Sequence, residues 1–422
     1  MSGSTSNGAT GVATARRVVV TGMAGISPIG NDWDSIRAHL GSYRNAIVRM
    51  EEWAGYDGLN TQLAAPAVEF DLSDRYNRKS MRSMGRVALM ATRASELALI
   101  DAGLIDDPVL KSGACGVAYG SSAGTPKAIG DFGRMMDERS TRGINATTYI
   151  KMMAHTAPVN IGVFFGITGR VITTSSACTS GSQGIGYAYE TIRSGRQQIM
   201  VAGGAEELCA TEAAVFDTLF ATSVRNDTPT MTPRPFDSGR DGLVIGEGAG
   251  TLILEDFEHA RARGAKMYAE IVGFGTNSDG CHVTHPNAET MQVAMTLALA
   301  DAALPTEAIG YINAHGTGTE QGDIAESHAT AAVFGGHTPI SSLKSYTGHT
   351  LGACGALEAW VGIEMMRSDW FAPTINLKQV DPLCAELDYI VDQGRNVQCE
   401  YFMSNNFAFG GINTSLIFKR LD

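Results

Sequence analysis

Positive charge is scarce in this chain: 32 lysines and arginines face 44 aspartates and glutamates over 422 residues, a formal net charge of -12. That balance repels a phosphate backbone unless basic residues cluster locally, so nucleic acid is a poor partner. Long apolar runs are missing as well, since no stretch approaches the ~18 residues needed to cross a bilayer. Residues 1–15, MSGSTSNGATGVATA, contain no hydrophobic core ahead of Arg16 and Arg17 and read as a flexible tail. The adjacent Arg16 and Arg17 invite comparison with a twin-arginine export signal, but VVVTGMAGISPIG after them fits a first strand better. No membrane association is expected, and a cytoplasmic location follows. Paired cysteines are absent too. Cys115, Cys178, Cys209, Cys281, Cys354, Cys384 and Cys399 are odd in number and scattered without a CxxC. That pattern suggests neither a disulfide framework nor a zinc site, and it fits a reducing compartment.

What the chain does have is length, 49 glycines and 44% hydrophobic side chains, enough for two or more large units or one duplicated unit. Short β-rich runs alternate with helical stretches: VVVTG, RVALMATRASELALIDAG, CGVAYG, VITTSS and IMVAGGAEE. This is the signature of an α/β protein. A second series repeats the order from Tyr268: YAEIVGFG, the helical MQVAMTLALADAAL, IGYINAHG, a helix from Asp323 to Phe334, PISSLKS, then YFMSNNFAFGG and SLIFKRL. Sliding SSACTSGSQGIGYAYETIRSG onto SYTGHTLGACGALEAWVGIEMMRSD superimposes Gly181 on Gly355, Arg193 on Arg367 and Ser194 on Ser368. An internal duplication is expected, with residues 1–15 as tail, 16–264 as the first half and 265–422 as the second.

Three positions carry candidate chemistry. Cys178 stands where the β-branched run VITT meets small residues and then an amphipathic helix with Ile185, Ala188 and Ile192 on one face. Free N–H groups and the positive dipole end at a helix N-terminus favour thiolate over thiol, which would make Cys178 a nucleophile. A compact packing cysteine in a glycine-rich turn fits the same residues. His315 ends a strand-like run and leads into GTGTEQGD, where Thr317 and Thr319 offer hydroxyls to a polar arm. The glycine spacing there lacks both GK[ST] and GxGxxG, so phosphate binding is not indicated. His349 lies in SLKSYTGHTLGACGALEA, at a second turn entering a helix, with Lys344 before it and Glu358 after it. Near fixed N–H dipoles and a cation, both histidines would stay neutral and act as hydrogen-bond donors. Glu358 could orient Lys344 or a water. The remaining histidines lack such contexts, with His282 and His285 as candidate rim residues.

With these three residues in these settings, the chain resembles the condensing enzymes of the thiolase superfamily, specifically the β-ketoacyl-acyl-carrier-protein synthases of type I and II. The likeness runs from about Arg17 to the end, through VTGMAGISPIGN, SSACTSG, AGGAEE, RPFDSGRDGLVIGEGAG, NAHGTGT, SLKSYTGHTLGACGALEA and SNNFAFGGINTSLIF. The wording of YGSSAGTPK and AGGAEELC is nearer type I. The resemblance implies a duplicated thiolase fold, a layered α-β-α-β-α sandwich of two pseudo-repeated halves, in a homodimer. Residue by residue it implies Cys178 as acylated nucleophile, His315 and His349 as the histidine pair, and Lys344 and Glu358 as supporting charges. It further implies Phe409 as gate and, with Cys178, oxyanion-hole amide, and Thr317 and Thr319 as pantetheine ligands. Glu320, where proline is frequent, marks a changed channel rim.

The implied reaction is a decarboxylating Claisen condensation between an acyl-cysteine and malonyl-acyl-carrier protein, in fatty acid elongation. It needs no cofactor beyond the phosphopantetheine of the carrier. Carrier proteins are acidic, so an acidic enzyme needs a local basic patch. Arg78, Lys79 and Arg82 in DRYNRKSMRSMGR, together with Arg86, have helical spacings near the start of a helix and resemble the family's docking cluster. A solvated charged face explains the same run. A degradative thiolase would carry a second cysteine where SNNFAFGG stands, and type III synthases pair the cysteine with His and Asn. A ketosynthase of a polyketide or aryl-polyene pathway shares the same catalytic trio. A non-catalytic chain-length factor typically lacks the nucleophile.

Overall fold

The protein is described here by a computed structural model covering residues 15–421. All of the expected tail except Ala15 lies outside the described residues. The first half supplies β1 (Val18–Ile26), β2 (Cys115–Gly120), β3 (Val171–Thr173), β4 (Ile199–Glu206) and β5 (Gly248–Asp256). The second supplies β6 (Ala269–Ser278), β7 (Ile309–Asn313), β8 (Pro339–Ser341), β9 (Tyr401–Ala408) and β10 (Ile412–Arg420). Several of these strands are buried along their whole length, which is why they read as nearly unbroken apolar and small residues.

The strands lie in the order β3-β2-β4-β5-β1-β6-β10-β9-β7-β8, with the short strand Asp388–Tyr389 beyond β8. Each strand of the first half has its counterpart five labels later, so the second half repeats the order of the first in mirror sequence. Directions repeat as well. β2 runs parallel to β3 and β4 and β5 runs antiparallel to β4 and β1, just as β7 runs parallel to β8 and β9 and β10 runs antiparallel to β9 and β6. The two sheets join where Val18–Val20 of β1 pair with Ala269–Ile271 of β6.

Six helices complete the layers: α1 (Arg86–Asp101), α2 (Thr156–Phe165), α3 (Ser180–Arg193), α4 (Ala288–Ala302), α5 (Glu320–Phe334) and α6 (Cys354–Arg367). α1 and α2 cover the outer face of the first sheet, α4 and α5 the outer face of the second, and α3 and α6 fill the space between. The result is the expected α-β-α-β-α sandwich. Its central helices meet almost backbone to backbone. A Cβ on Gly181 would fall 2.9 Å from the Ala356 nitrogen, and one on Gly355 would fall 2.7 Å from the Ser182 nitrogen. The sequence register that pairs Gly181 with Gly355 therefore also pairs the two ends of this contact. Among the described residues no helix is long and apolar enough to cross a membrane.

Candidate active site

The two central helices begin in the same way. Immediately before each of them the chain makes a short helical turn, Ala177–Thr179 or Leu351–Ala353, that opens on a left-handed residue: Ala177 at φ 50° and Leu351 at φ 46°. These elbows set Cys178 just before α3 and His349 just before α6. Both side chains face a cavity of about 490 Å³ that is also lined by His315, Thr317, Thr319, Glu320 and Phe409. His315 comes from the loop after β7, so of the three groups Cys178 comes from the first half and both histidines from the second, while both halves line the cavity.

At the centre, His349 Nε2 lies 3.0 Å from Cys178 Sγ. The backbone N–H of Leu351 donates to His349 Nδ1 at 3.2 Å, which leaves the ring proton on Nε2 and makes His349 a donor toward the sulfur. The His315 ring stands nearly perpendicular to it, centroids 5.1 Å apart. Burial first, and then the charge of Lys344, hold both imidazoles well below the ordinary histidine range, so both are neutral as expected. The expected anionic cysteine is corrected. Cys178 is only 4% exposed, and burial pushes its thiol up to about 11 against the opposing pull of the Phe409 and Cys178 N–H groups and of Lys344. Desolvation outweighs the helix terminus, so the resting group is a thiol. The metal-ligating atoms of Cys178, His315 and His349 lie within 4.8 Å of one another. A metal on this trio would have to displace the Nε2 proton of His349 and break the Leu351 bond, so the tautomer favours a hydrogen-bonding site over a metal centre.

Lys344 and Glu358 do not line the cavity; they form a buried ion pair behind it, Nζ to Oε1 at 2.5 Å. Burial alone would lower Lys344, but Glu358 outweighs it and Lys344 is held above the usual lysine value. Glu358 Oε2 accepts from Asn406 Nδ2 at 2.7 Å, and the same amide lies 3.5 Å from His315 Nδ1. Asn406 was not anticipated, although it sits in the SNNFAFGG stretch. Glu326 was missed as well. It accepts the backbone N–H groups of His315 and Gly316, each at 2.7 Å, and so pins the loop that presents His315. Glu326 falls on α5 eleven residues after His315, and no local motif links them. Cys354 is a third omission: its thiol donates to the Cys178 carbonyl at 3.2 Å.

The polar arm positions hold together. Thr317 and Thr319 place their Oγ1 atoms 2.9 Å apart on the cavity wall. The ring of Phe409 packs edge-on against Phe216, centroids 5.8 Å apart. His285 lines the cavity, and His282 stacks against it edge-on. Arg78, Lys79 and Arg82 are exposed and lie near the start of a helix, as expected, although not within it. They lie in successive turns ahead of α1, and only Arg86 is helical. Arg86 is also engaged, pairing with Glu247 at 2.5 Å. The turns at Asn77–Ser80 are held by the Asn77 and Ser80 side chains, which explains why the helical spacing did not become a helix.

A five-layered duplicated sandwich with a cysteine and a neutral histidine at its central elbows, and a second neutral histidine on the loop after β7, defines the class of carbon–carbon condensing enzymes. The sequence matches "Beta-ketoacyl synthase, N-terminal domain" over residues 15–260 and "Beta-ketoacyl synthase, C-terminal domain" over residues 268–378, and the chain belongs to this beta-ketoacyl synthase family. It is 37% identical over 415 residues to 3-oxoacyl-[acyl-carrier-protein] synthase 2 of Vibrio harveyi, covering 96% of this chain and 99% of that one. It is 38% identical over 413 residues to 3-oxoacyl-[acyl-carrier-protein] synthase 1 of Haemophilus influenzae, with the same coverage. A crystal structure of a beta-ketoacyl synthase from Burkholderia phymatum superimposes with a TM-score of 0.95 at 59% identity, covering 96% of this chain and all of that one.

Proposed function

We propose that the protein catalyses the decarboxylating condensation of an acyl group, held on Cys178, with malonyl-acyl-carrier protein to give a β-ketoacyl-carrier protein during fatty acid elongation. The observation that carries this reading is the Cys178 sulfur 3.0 Å from a histidine nitrogen whose proton is fixed there by Leu351. In the first half-reaction the sulfur attacks the acyl thioester carbonyl. The tetrahedral oxyanion accepts from the N–H groups of Cys178 and Phe409, the carrier thiol leaves with the proton of Cys178, and an acyl-cysteine remains. In the second, the malonyl thioester loses carbon dioxide. His315 and His349 donate to the thioester oxygen as the enolate forms, its carbon attacks the acyl-cysteine carbonyl, and the Cys178 sulfur departs. Lys344, Glu358, Asn406 and Glu326 act as positioning residues that keep the imidazoles in place.

Carrier-linked acyl thioesters fit relatives that are 3-oxoacyl-[acyl-carrier-protein] synthases, and Thr317 and Thr319 offer hydroxyls to the pantetheine. Docking of the acidic carrier falls to Arg78, Lys79 and Arg82. The edge strand β3 leaves Val171 half exposed and has an open side suited to a second copy, in keeping with a homodimer. No resident cofactor is invoked, and the cytoplasm suits seven unpaired thiols. Mass spectrometry after incubation with acyl-carrier protein tests the assignment. The expected result is one acyl adduct on Cys178, lost in Cys178→Ala; an adduct on any other cysteine refutes it.

A further inference from the structure

The short helix Ala210–Asp217 leads to the cavity mouth and ends in a motif that usually requires glycine. The Ala221 N–H returns to the Phe216 carbonyl at 3.0 Å and the Phe220 N–H to the Asp217 carbonyl at 2.9 Å. This is the double closure in which the residue after the helix is left-handed. That residue is Phe220, at φ 54°. A side chain there strains the backbone, and an aromatic one normally recovers the cost through burial. Phe220 recovers nothing, because it is 89% exposed. Folding thus gains at neither the backbone nor the side chain, and the residue lines the same cavity as Cys178, Thr317 and Thr319. Leu219 and Val283, also exposed, line the cavity with it. Phe216, one turn earlier on the same helix, reaches inward to the Phe409 ring.

We propose that Phe220 is a substrate-binding residue: its ring forms an apolar wall at the mouth against which the pantetheine arm of the incoming thioester packs. This rests on the condensing reading above. The arm must cross the mouth to bring its thioester to Cys178, and it carries a branched dimethyl segment and methylenes between its amides. The threonine hydroxyls deeper in the cavity suit the amides, and the exposed ring suits the hydrocarbon. Burying an aromatic face only when substrate is present makes the contact a binding term and not a folding term.

The test compares Phe220→Asn, which suits a left-handed helix end, with Phe220→Tyr, which keeps the ring. Each is assayed with acyl-pantetheine and with acyl-carrier protein as donors to Cys178. Asn is expected to hold or raise the Tm, to raise KM roughly tenfold for both donors, and to leave the maximal acylation rate near that of the parent; Tyr is expected to restore KM. An unchanged KM for acyl-pantetheine overturns the proposal, whether or not KM for the carrier rises, since the ring would then touch the carrier protein alone. A change of oligomeric state in Phe220→Asn overturns it too, by showing that a second copy covers the ring. Failure of the condensing reading would look different, because the parent itself would then form no adduct on Cys178.

Discussion

The chemistry at single residues depends on burial more than on charge. Burial makes Cys178 a thiol at rest and keeps His315 and His349 uncharged, and Lys344 strengthens the second effect. Histidines held below their ordinary value bind fewer protons folded than unfolded once the pH falls under about 6.5. Their contribution to stability is therefore full above that pH and declines as the solution is acidified. Thermal unfolding from about pH 7 to 5 is expected to show a falling Tm, with a shallower fall in the His315→Asn, His349→Asn double variant. Lys344→Met strands the Glu358 carboxylate without its partner and is expected to cost about 3–5 kcal/mol in denaturant unfolding. A loss below 1 kcal/mol would mean that water reaches the pair. The sequence pointed to Cys178, His315 and His349 through their glycine-rich turns. It could not show that the helix terminus at Cys178 is overruled, because burial is a property of the whole fold around one sulfur. Glu326 and Asn406 stayed hidden for a related reason: their contacts join separate elements.

At the scale of elements, the repeated elbow explains most of the site. Strand, left-handed residue, single turn and buried helix occur once around Cys178 and once around His349, and the register of the two segments was readable from Gly181, Gly355, Arg193 and Arg367. What was not readable is why those glycines are there. Each marks the spot where α3 and α6 touch, and a Cβ on Gly355 would also fall 2.7 Å from Asn406 Oδ1. Gly355→Ala is thus expected to cost about 1–3 kcal/mol in stability and to slow condensation by shifting Asn406 away from Glu358. Retained activity alongside the stability loss would show that Asn406 has no positioning role. The opposite holds at Arg78–Arg82, where charges at helical intervals lie in turns ahead of α1 and only Arg86 is helical. Periodicity among exposed residues carries no burial to enforce it, whereas the apolar face of α3 does.

Over the whole molecule, the -12 charge and the local cluster at Arg78, Lys79 and Arg82 work against each other. On the docking proposed above, an acidic carrier would be repelled at long range and attracted at one patch, with salt screening both. Arg78→Glu with Lys79→Glu is expected to weaken carrier binding most at low salt while leaving acylation by acyl-pantetheine unchanged; titration calorimetry at two ionic strengths reads the first effect. Equal binding by parent and variant would place the docking surface elsewhere. The sheet junction between Val18–Val20 and Ala269–Ile271 has a consequence of its own. Each half leaves its central helix uncovered until the other arrives, because α3 and α6 pack on each other between the sheets. Severing the chain between the halves would therefore bare an apolar helix face on both fragments, which should stay soluble only when supplied together.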